Sequence, residues 1–169
     1  EYEYTFDENR LREVIDTFKG EQTQVPPMYS AIKINGKKLY EIAREGREIE
    51  RKAREITVYD IRIAEINPPN KAIIEIDCSK GTYIRSLCSD IGNKLGWGAF
   101  MSSLTRTASG KFKLNEAVKL DELKNVAERG EAEKFIIPPD DVLSGYKRVT
   151  VSEKADKYLY NGGKIYGGY

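Results

Sequence analysis

The stretch Cys78-Ser79-Lys80-Gly81-Thr82-Tyr83-Ile84-Arg85-Ser86-Leu87-Cys88-Ser89-Asp90-Ile91-Gly92 decides how the rest of the chain is read. Before it, Ile74, Ile76 and Cys78 alternate as one face of a strand does. After the glycine, Ile84, Leu87, Cys88, Ile91 and Leu95 fall on one helical stripe. The spacing predicts a buried strand, a tight turn at Gly81 and an amphipathic helix over 82–95. Arg85 is the odd member. In the first turn of a helix the macrodipole opposes a cation by roughly 0.3–1 kcal/mol. An arginine held against that field usually has an anion to meet, a carboxylate or a phosphate. The glycine lets a ligand approach the backbone, and the free N–H groups of a helix start attract anions. A turn with a purely structural role would use the same residues.

Upstream, Asp7 is placed to cap a helix whose buried stripe is Leu11, Val14, Ile15 and Phe18, with Phe6 stapled to Leu11 and Gly20 ending it. Pro26 and Pro27 exclude regular helix from Gln22 to Ser30. A short strand over 31–34, a turn at Asn35-Gly36 and a helix over 38–45, stopped by Gly46, follow. Residues 56–66 and 72–78 read as neighbouring strands joined by Asn67-Pro68-Pro69-Asn70, and a parity change near Tyr59-Asp60 predicts a bulge. Downstream, residues 100–107 and 111–114 suggest a hairpin turning at Ser109-Gly110. A helix over 121–129 is capped by Gly130. A strand over 149–151 precedes a helix from Ser152 to about Tyr160. The class is α+β, a mixed, largely antiparallel sheet with helices packed on it.

With 169 residues, 40% of them hydrophobic and 33% charged, the chain is long enough for a real core. No run of 18 apolar residues occurs, so no membrane association is expected. The chain contains no histidine, which excludes Ser-His-Asp and Cys-His machinery and most zinc sites. Catalysis would have to use carboxylates, tyrosines, lysines or arginines. Cys78 and Cys88 fall on core faces and read as small buried hydrophobes of a reducing cytosol rather than a disulfide or metal pair. No secretory signal is visible and the first residue is Glu1, so the chain reads as processed or excised.

The net charge of +1 hides an uneven distribution. Residues 33–62 hold nine Lys/Arg against six Asp/Glu, and residues 79–114 hold six against one, Asp90. Residues 114–145 reverse the balance, four against eight. A cationic centre fits a polyanion partner, and a solvated basic face has the same composition. Three further features share that centre with the glycine turn. Pro26-Pro27-Met28-Tyr29-Ser30-Ala31-Ile32-Lys33 sets an aromatic, Tyr29, and a cation, Lys33, on an extended segment that could line a nucleic-acid groove or serve as a stiff connector. Lys37, Lys38, Arg44, Arg47, Arg51, Lys52 and Arg54 form a basic run. Leu104-Thr105-Arg106-Thr107-Ala108-Ser109-Gly110-Lys111-Phe112 is a basic hairpin.

In this order the segments resemble one family. Gln24-Val25-Pro26-Pro27-Met28-Tyr29-Ser30-Ala31-Ile32-Lys33, Gly36-Lys37-Lys38-Leu39-Tyr40, Ala43-Arg44-Glu45-Gly46, the Cys78–Arg85 turn and Leu104 to Phe112 look like the TruB family of bacterial tRNA pseudouridine-55 synthases. The likeness runs from about Phe6 to Lys164. It implies the pseudouridine synthase fold, incomplete here, and isomerisation of one uridine in the T-arm of tRNA, without cofactor, in the cytoplasm. The target base is flipped from its stack into an enclosed pocket. By similarity, Arg85 pairs with the catalytic aspartate, and Tyr83 lines the pocket beside the base. Leu104 supports the ring. Charge makes Lys80, Arg106 and Lys111 candidates for the RNA backbone, alongside Tyr29 and Lys33.

The sequence departs from the family on its N-terminal side, where a base-stacking tyrosine of the family is also missing, and its C-terminal end is short. The aspartate stands in a Gly-x-Leu-Asp-x-x-Ala-Thr-Gly-like motif in the family, and no such motif occurs in these 169 residues. Asp77 and Asp90 do not match its position. The chain therefore reads as the C-terminal part of the catalytic domain, 1–145, followed by the start of a truncated PUA-like RNA-binding domain, 146–169. Such a piece is expected to be inactive alone and, with sheet edges uncovered, to self-associate, whereas the full-length enzyme is expected to be a monomer. The alternatives are a non-catalytic RNA-binding module and a relative of the dyskerin-type synthases of guide-RNA particles.

Overall fold

The computed structural model describes residues 7–165, which fall into two compact units that divide between Leu104 and Thr105. The first opens with helix α1, Glu8–Asp16. Asp7 caps it by accepting from the Arg10 backbone N–H at 3.1 Å. Leu11 and Ile15 are buried, with Val14 and Phe18 packed beside them, so the apolar stripe read from the sequence is the one that faces the core. The expected staple from Phe6 lies outside the described residues.

Three strands follow the order β1-β4-β5, where β1 is Gly20–Gln24, β4 is Arg54–Asn67 and β5 is Lys71–Cys78. Both pairings are antiparallel. The intervening chain forms a two-residue hairpin, β2 (Lys33–Ile34) and β3 (Lys37–Lys38), and then helix α2, Leu39–Arg44. The hairpin turns through Asn35 and Gly36, both at positive φ, as an Asn-Gly turn allows. Helix α3, Ile84–Leu95, lies with α1 against the sheet. Leu11, Ile15, Val58, Ile61, Leu87, Ile91 and Leu95 make one buried cluster, into which Ile74, Ile76 and Trp97 pack.

The expected bulge is present: the β4–β5 register shifts between Val58 and Asp60, and again between Ile63 and Glu65. Ile56 and Val58 are buried before the first shift and Ile61 after it. The extra residue flips the parity and returns the apolar side chains to the core face. Both cysteines are free and half-buried.

Several boundaries differ from the sequence reading. Helix α1 ends at Asp16, and Gly20 begins β1 rather than stopping the helix. The stretch from Gln22, from which the prolines exclude helix, is strand as far as Gln24, because the β4 backbone supplies the β1 partners from Arg54 to Val58. Residues 100–107 form no strand. The chain there follows the C-terminal turn of α3, where Trp97 and Gly98 N–H groups are committed to the Gly92 carbonyl.

In the second unit the hairpin contracts to β6 (Ala108–Ser109) and β7 (Phe112–Lys113), with Gly110-Lys111 at its turn. Helix α4, Leu120–Glu128, is followed by Gly130 at φ 72°. A short helix α5, Pro139–Val142, comes next. Residues 149–151 have no ladder partner among the described residues, so the strand expected there is absent. The helix expected from Ser152 is a 3-10 turn, Glu153–Ala155, and a one-turn α6, Asp156–Leu159. Val126 and Ala155 are the buried apolar residues of this unit among those described.

Candidate active site

The turn between β5 and α3 is held from three directions. The Ser79 N–H donates to the Thr57 carbonyl at 2.8 Å, and the Thr57 N–H donates to Ser79 Oγ at 2.9 Å. The ladder thus continues one residue past Cys78, with a side-chain oxygen standing in for a carbonyl. Gly81 then takes φ 87°, a left-handed conformation that side chains resist, and redirects the chain. Tyr83 is the N-cap of α3 and provides no side-chain cap. Its peptide is instead gripped by Gln24, whose Oε1 accepts from the Tyr83 N–H at 2.8 Å and whose Nε2 donates to the Tyr83 carbonyl at 3.1 Å. Ser86 Oγ reaches the Val25 carbonyl at 3.4 Å.

This turn places Arg85 on the solvent side of the first turn of α3. Together with Pro27, Ser86, Ser89, Ala99 and Phe100 it lines a cavity of about 310 Å³. Arg85 forms no ion pair among the described residues, whereas ten other cation–carboxylate pairs are made. An exposed cation, set against the helix dipole and facing an open concavity, has the chemistry to receive an anion.

The wall opposite α3 exists because residue 92 lacks a side chain. A Cβ on Gly92 would lie 2.1 Å from the Ala99 nitrogen and 2.5 Å from the Gly98 carbonyl carbon. The Gly92 carbonyl also accepts from the Trp97 and Gly98 N–H groups at 3.2 and 3.0 Å. The chain therefore folds tightly back over α3 and delivers Ala99 and Phe100 beside Arg85. Phe100, 85% exposed, is an aromatic with almost nothing packed upon it.

On the other side of Ser86 and Ser89 a second cavity of about 390 Å³ is lined by Phe18, by residues 22–25 and by Asp90. Desolvation pushes the Asp90 carboxyl above its ordinary value, and no cation pairs with it among the described residues. Cys88 is likewise pushed up by burial, as an inert structural thiol should be.

Tyr29 stands 58% exposed on a well-anchored segment. Arg51 Nη1 donates to the Pro26 carbonyl at 3.2 Å, and the Tyr40 and Leu39 N–H groups donate to Ser30 and Ile32 carbonyls at 3.1 and 2.8 Å. Lys33 is exposed on β2. Lys38 Nζ and the Arg44 guanidinium each sit 5.3 Å from the Tyr40 ring centre. Part of the basic run is neutralised internally. Arg47 and Lys37 flank Glu45 and hold its carboxyl below the usual range, and Arg51 pairs with Glu48 at 2.7 Å.

Of the residues singled out from sequence, Tyr83 and Arg85 share one turn, with Lys80 exposed just before it. Leu104 is 58% exposed at the end of the first unit. Arg106 and Lys111 belong to the second unit and are exposed. Lys111 Nζ donates to Ser144 Oγ and to the Asp141 carbonyl, tying the hairpin to α5 and leaving one ammonium proton for another acceptor. The sequence reading quoted Gln24 and Gly92 only within longer segments and gave them, like Phe100, no role. The available signal for Gln24 was its place at the head of the Gln24–Lys33 segment.

Among the described residues no group of His, Cys, Asp and Glu could hold a metal ion, and no helix is long and apolar enough to cross a membrane. Residues 1–84 match the N-terminal domain of TruB family pseudouridylate synthases, and residues 85–144 match the tRNA pseudouridylate synthase B C-terminal domain. The chain is 49% identical over 163 residues to a tRNA pseudouridine synthase B of Clostridium acetobutylicum, covering 95% of this chain and 54% of that protein. It is 47% identical over 167 residues to one of Alkaliphilus oremlandii, covering 99% and 54%. The chain thus spans about half the length of the curated relatives it matches. Among solved structures, a Cbf5-Nop10-Gar1 complex contains a chain similar at TM-score 0.63 and 33% identity, over 80% of this chain and 38% of that one. An H/ACA RNP bound to a substrate RNA containing 2'-deoxyuridine contains another, at TM-score 0.56 and 29% identity, over 78% and 34%.

Proposed function

This chain belongs to the TruB family of pseudouridylate synthases, and on that premise we propose that it supplies the arginine-and-tyrosine half of a cytoplasmic tRNA pseudouridine-55 synthase active site. The observation that carries the reading is Arg85: an exposed guanidinium in the first turn of α3, at the mouth of a concavity, with no carboxylate beside it among the described residues. The anion it awaits is the catalytic aspartate of the family motif, which these residues do not contain. Held beside a guanidinium, such a carboxylate stays ionised and oriented.

The reaction breaks the bond from uracil N1 to the ribose, turns the base and joins C5 to the same carbon. One proton leaves C5, N1 gains one, and no oxidant is needed. What the protein must supply is enclosure and positioning for a base taken out of its stack. Tyr83 lines the pocket beside that base, and Leu104 supports it. Lys80, Tyr29, Lys33, Arg106 and Lys111 meet the T-arm backbone, whose phosphates dominate affinity. Residues 1–145 then belong to the catalytic domain and 146–169 to the entrance of a PUA-like module.

Tritium release from a T-arm RNA labelled at uridine C5 tests this. The chain alone should release none. Adding an aspartate-bearing N-terminal segment of a relative should start release, and Arg85→Ala should abolish it. Release by the chain alone would overturn the reading and return the search to Asp77 and Asp90. RNA binding with no release under any complementation would make the chain a binding module.

A further inference from the structure

We propose that Gln24 is the positioning residue of this site: its buried carboxamide sets the orientation of Tyr83 and, through it, of Arg85. The inference rests on the functional reading above only for what the positioned residues do, not for the positioning itself.

Gln24 ends β1 and is 4% exposed, one of two buried polar residues among those described. A primary amide offers a donor and an acceptor on one edge. Here both are spent on a single residue 59 positions away, the acceptor on the Tyr83 N–H and the donor on its carbonyl. The pair imitates one rung of an antiparallel ladder. It holds Tyr83 at φ −96° and ψ 103°, the extended geometry from which α3 departs. The Tyr83 carbonyl also accepts the first intrahelical bond, from the Leu87 N–H at 3.1 Å. One residue therefore joins the strand edge to the helix axis, and Arg85 follows two residues later. Without Gln24 the part-buried N–H of Tyr83 has no other partner shown, and leaving such a donor unmade is costly.

Glutamine is uniquely suited among similar side chains. An apolar isostere keeps the volume and loses both bonds. An ionised glutamate keeps the acceptor, loses the donor and turns a negative charge toward a carbonyl. A protonated glutamate restores both. Burial raises a carboxyl's pKa, so Gln24→Glu should behave as wild type at low pH and as a defective variant at high pH. The absence of histidine leaves few groups in the parent chain that titrate between pH 5 and 8. Asp90 is the ionisable side chain lining the same cavity, so the comparison is made in parallel in an Asp90→Asn background.

The experiment measures Tyr83 amide exchange by nuclear magnetic resonance and affinity for a T-arm RNA by anisotropy, from pH 5 to 8, for the parent chain, Gln24→Leu and Gln24→Glu. We expect Tyr83 protection to fall at least tenfold in Gln24→Leu while Ile91 in mid-helix keeps its own. RNA affinity should drop by about tenfold, the scale of one lost buried hydrogen bond. Gln24→Glu should match the parent near pH 5 and lose both protection and affinity toward pH 8. Unchanged Tyr83 protection in Gln24→Leu would overturn the proposal. If Gln24→Leu fails to fold, the Gln24→Glu titration decides, and a defect that pH does not relieve counts against positioning. A parent chain without RNA affinity would refute the functional reading, and Tyr83 exchange across the Gln24→Glu titration would still judge the role of Gln24.

Discussion

Replacing Gly92 with alanine tests whether the cavity wall beside Arg85 is fixed by backbone contact. In an ordinary mid-helix position the change gains about 0.8–1.0 kcal/mol, because alanine is the better helix former. Here the new methyl would fall 2.1 Å from the Ala99 nitrogen, and both near contacts on residues 98 and 99 include main-chain atoms. Two responses are open to the molecule. The packing is forced, at roughly 1–3 kcal/mol, or the loop lifts and gives up the Trp97 and Gly98 bonds to the Gly92 carbonyl, at about 1 kcal/mol each. Either outweighs the helix gain, so the net should be a loss of about 1–2 kcal/mol. For a chain of this length that lowers Tm by several degrees, on the scale of about 2–4 °C per kcal/mol. Trp97 is the single tryptophan and packs against the core, so its emission reports the loop directly. Thermal and urea melts followed by Trp97 fluorescence and far-ultraviolet dichroism should show a lower midpoint and red-shifted native emission. A variant that melts higher than the parent, with unchanged emission, would refute the argument, because only an unobstructed helix position behaves so.

Three further outcomes follow from the electrostatics and edges. Lys19 Nζ lies 3.1 Å from Asp60 and holds that carboxyl below its ordinary value. Its stabilisation is present above the usual carboxylate range and lost as pH falls through the lowered pKa, so the gap between parent and Lys19→Met should close in acid; a gap independent of pH would contradict the pairing. Desolvation raises the Asp90 carboxyl, so the folded state binds its proton more tightly and stability declines as pH rises from about the ordinary carboxylate value toward the raised one. Asp90→Asn should flatten that decline and melt slightly higher at pH 7, and a lower midpoint there would show an unseen favourable partner. Strands β1 and β5 each pair on one side only among the described residues. Light scattering of the chain alone should therefore show a mass rising above 19.2 kDa with concentration, and a strictly monomeric particle would sink the idea of uncovered edges.

Local rules determined a large part of this protein. The 3.6-residue stripe of Ile84, Leu87, Ile91 and Leu95 and the two-residue alternation ending at Cys78 fixed α3 and β5. Asp7, the Asn35-Gly36 turn and the parity change at Tyr59 fixed a cap, a hairpin and a bulge. Each depends on residues within a few positions of one another, where side-chain periodicity and backbone preference speak directly. Arg85 was legible for the same reason, since a cation in the first turn of a helix conflicts with a field that the helix itself creates. Tertiary structure decided what depends on partners distant in the chain. Strand β1 was hidden because its ladder is completed by β4, whose paired residues lie 30 to 38 positions on. The expected strands over 100–107 and 149–151 failed for the converse reason, having suitable side chains and no backbone partner among the described residues. Gln24 and Gly92 are ordinary letters in the sequence. They acquire meaning when Tyr83 and Ala99 are brought against them, because a hydrogen bond and a steric contact are properties of distance, which periodicity does not encode.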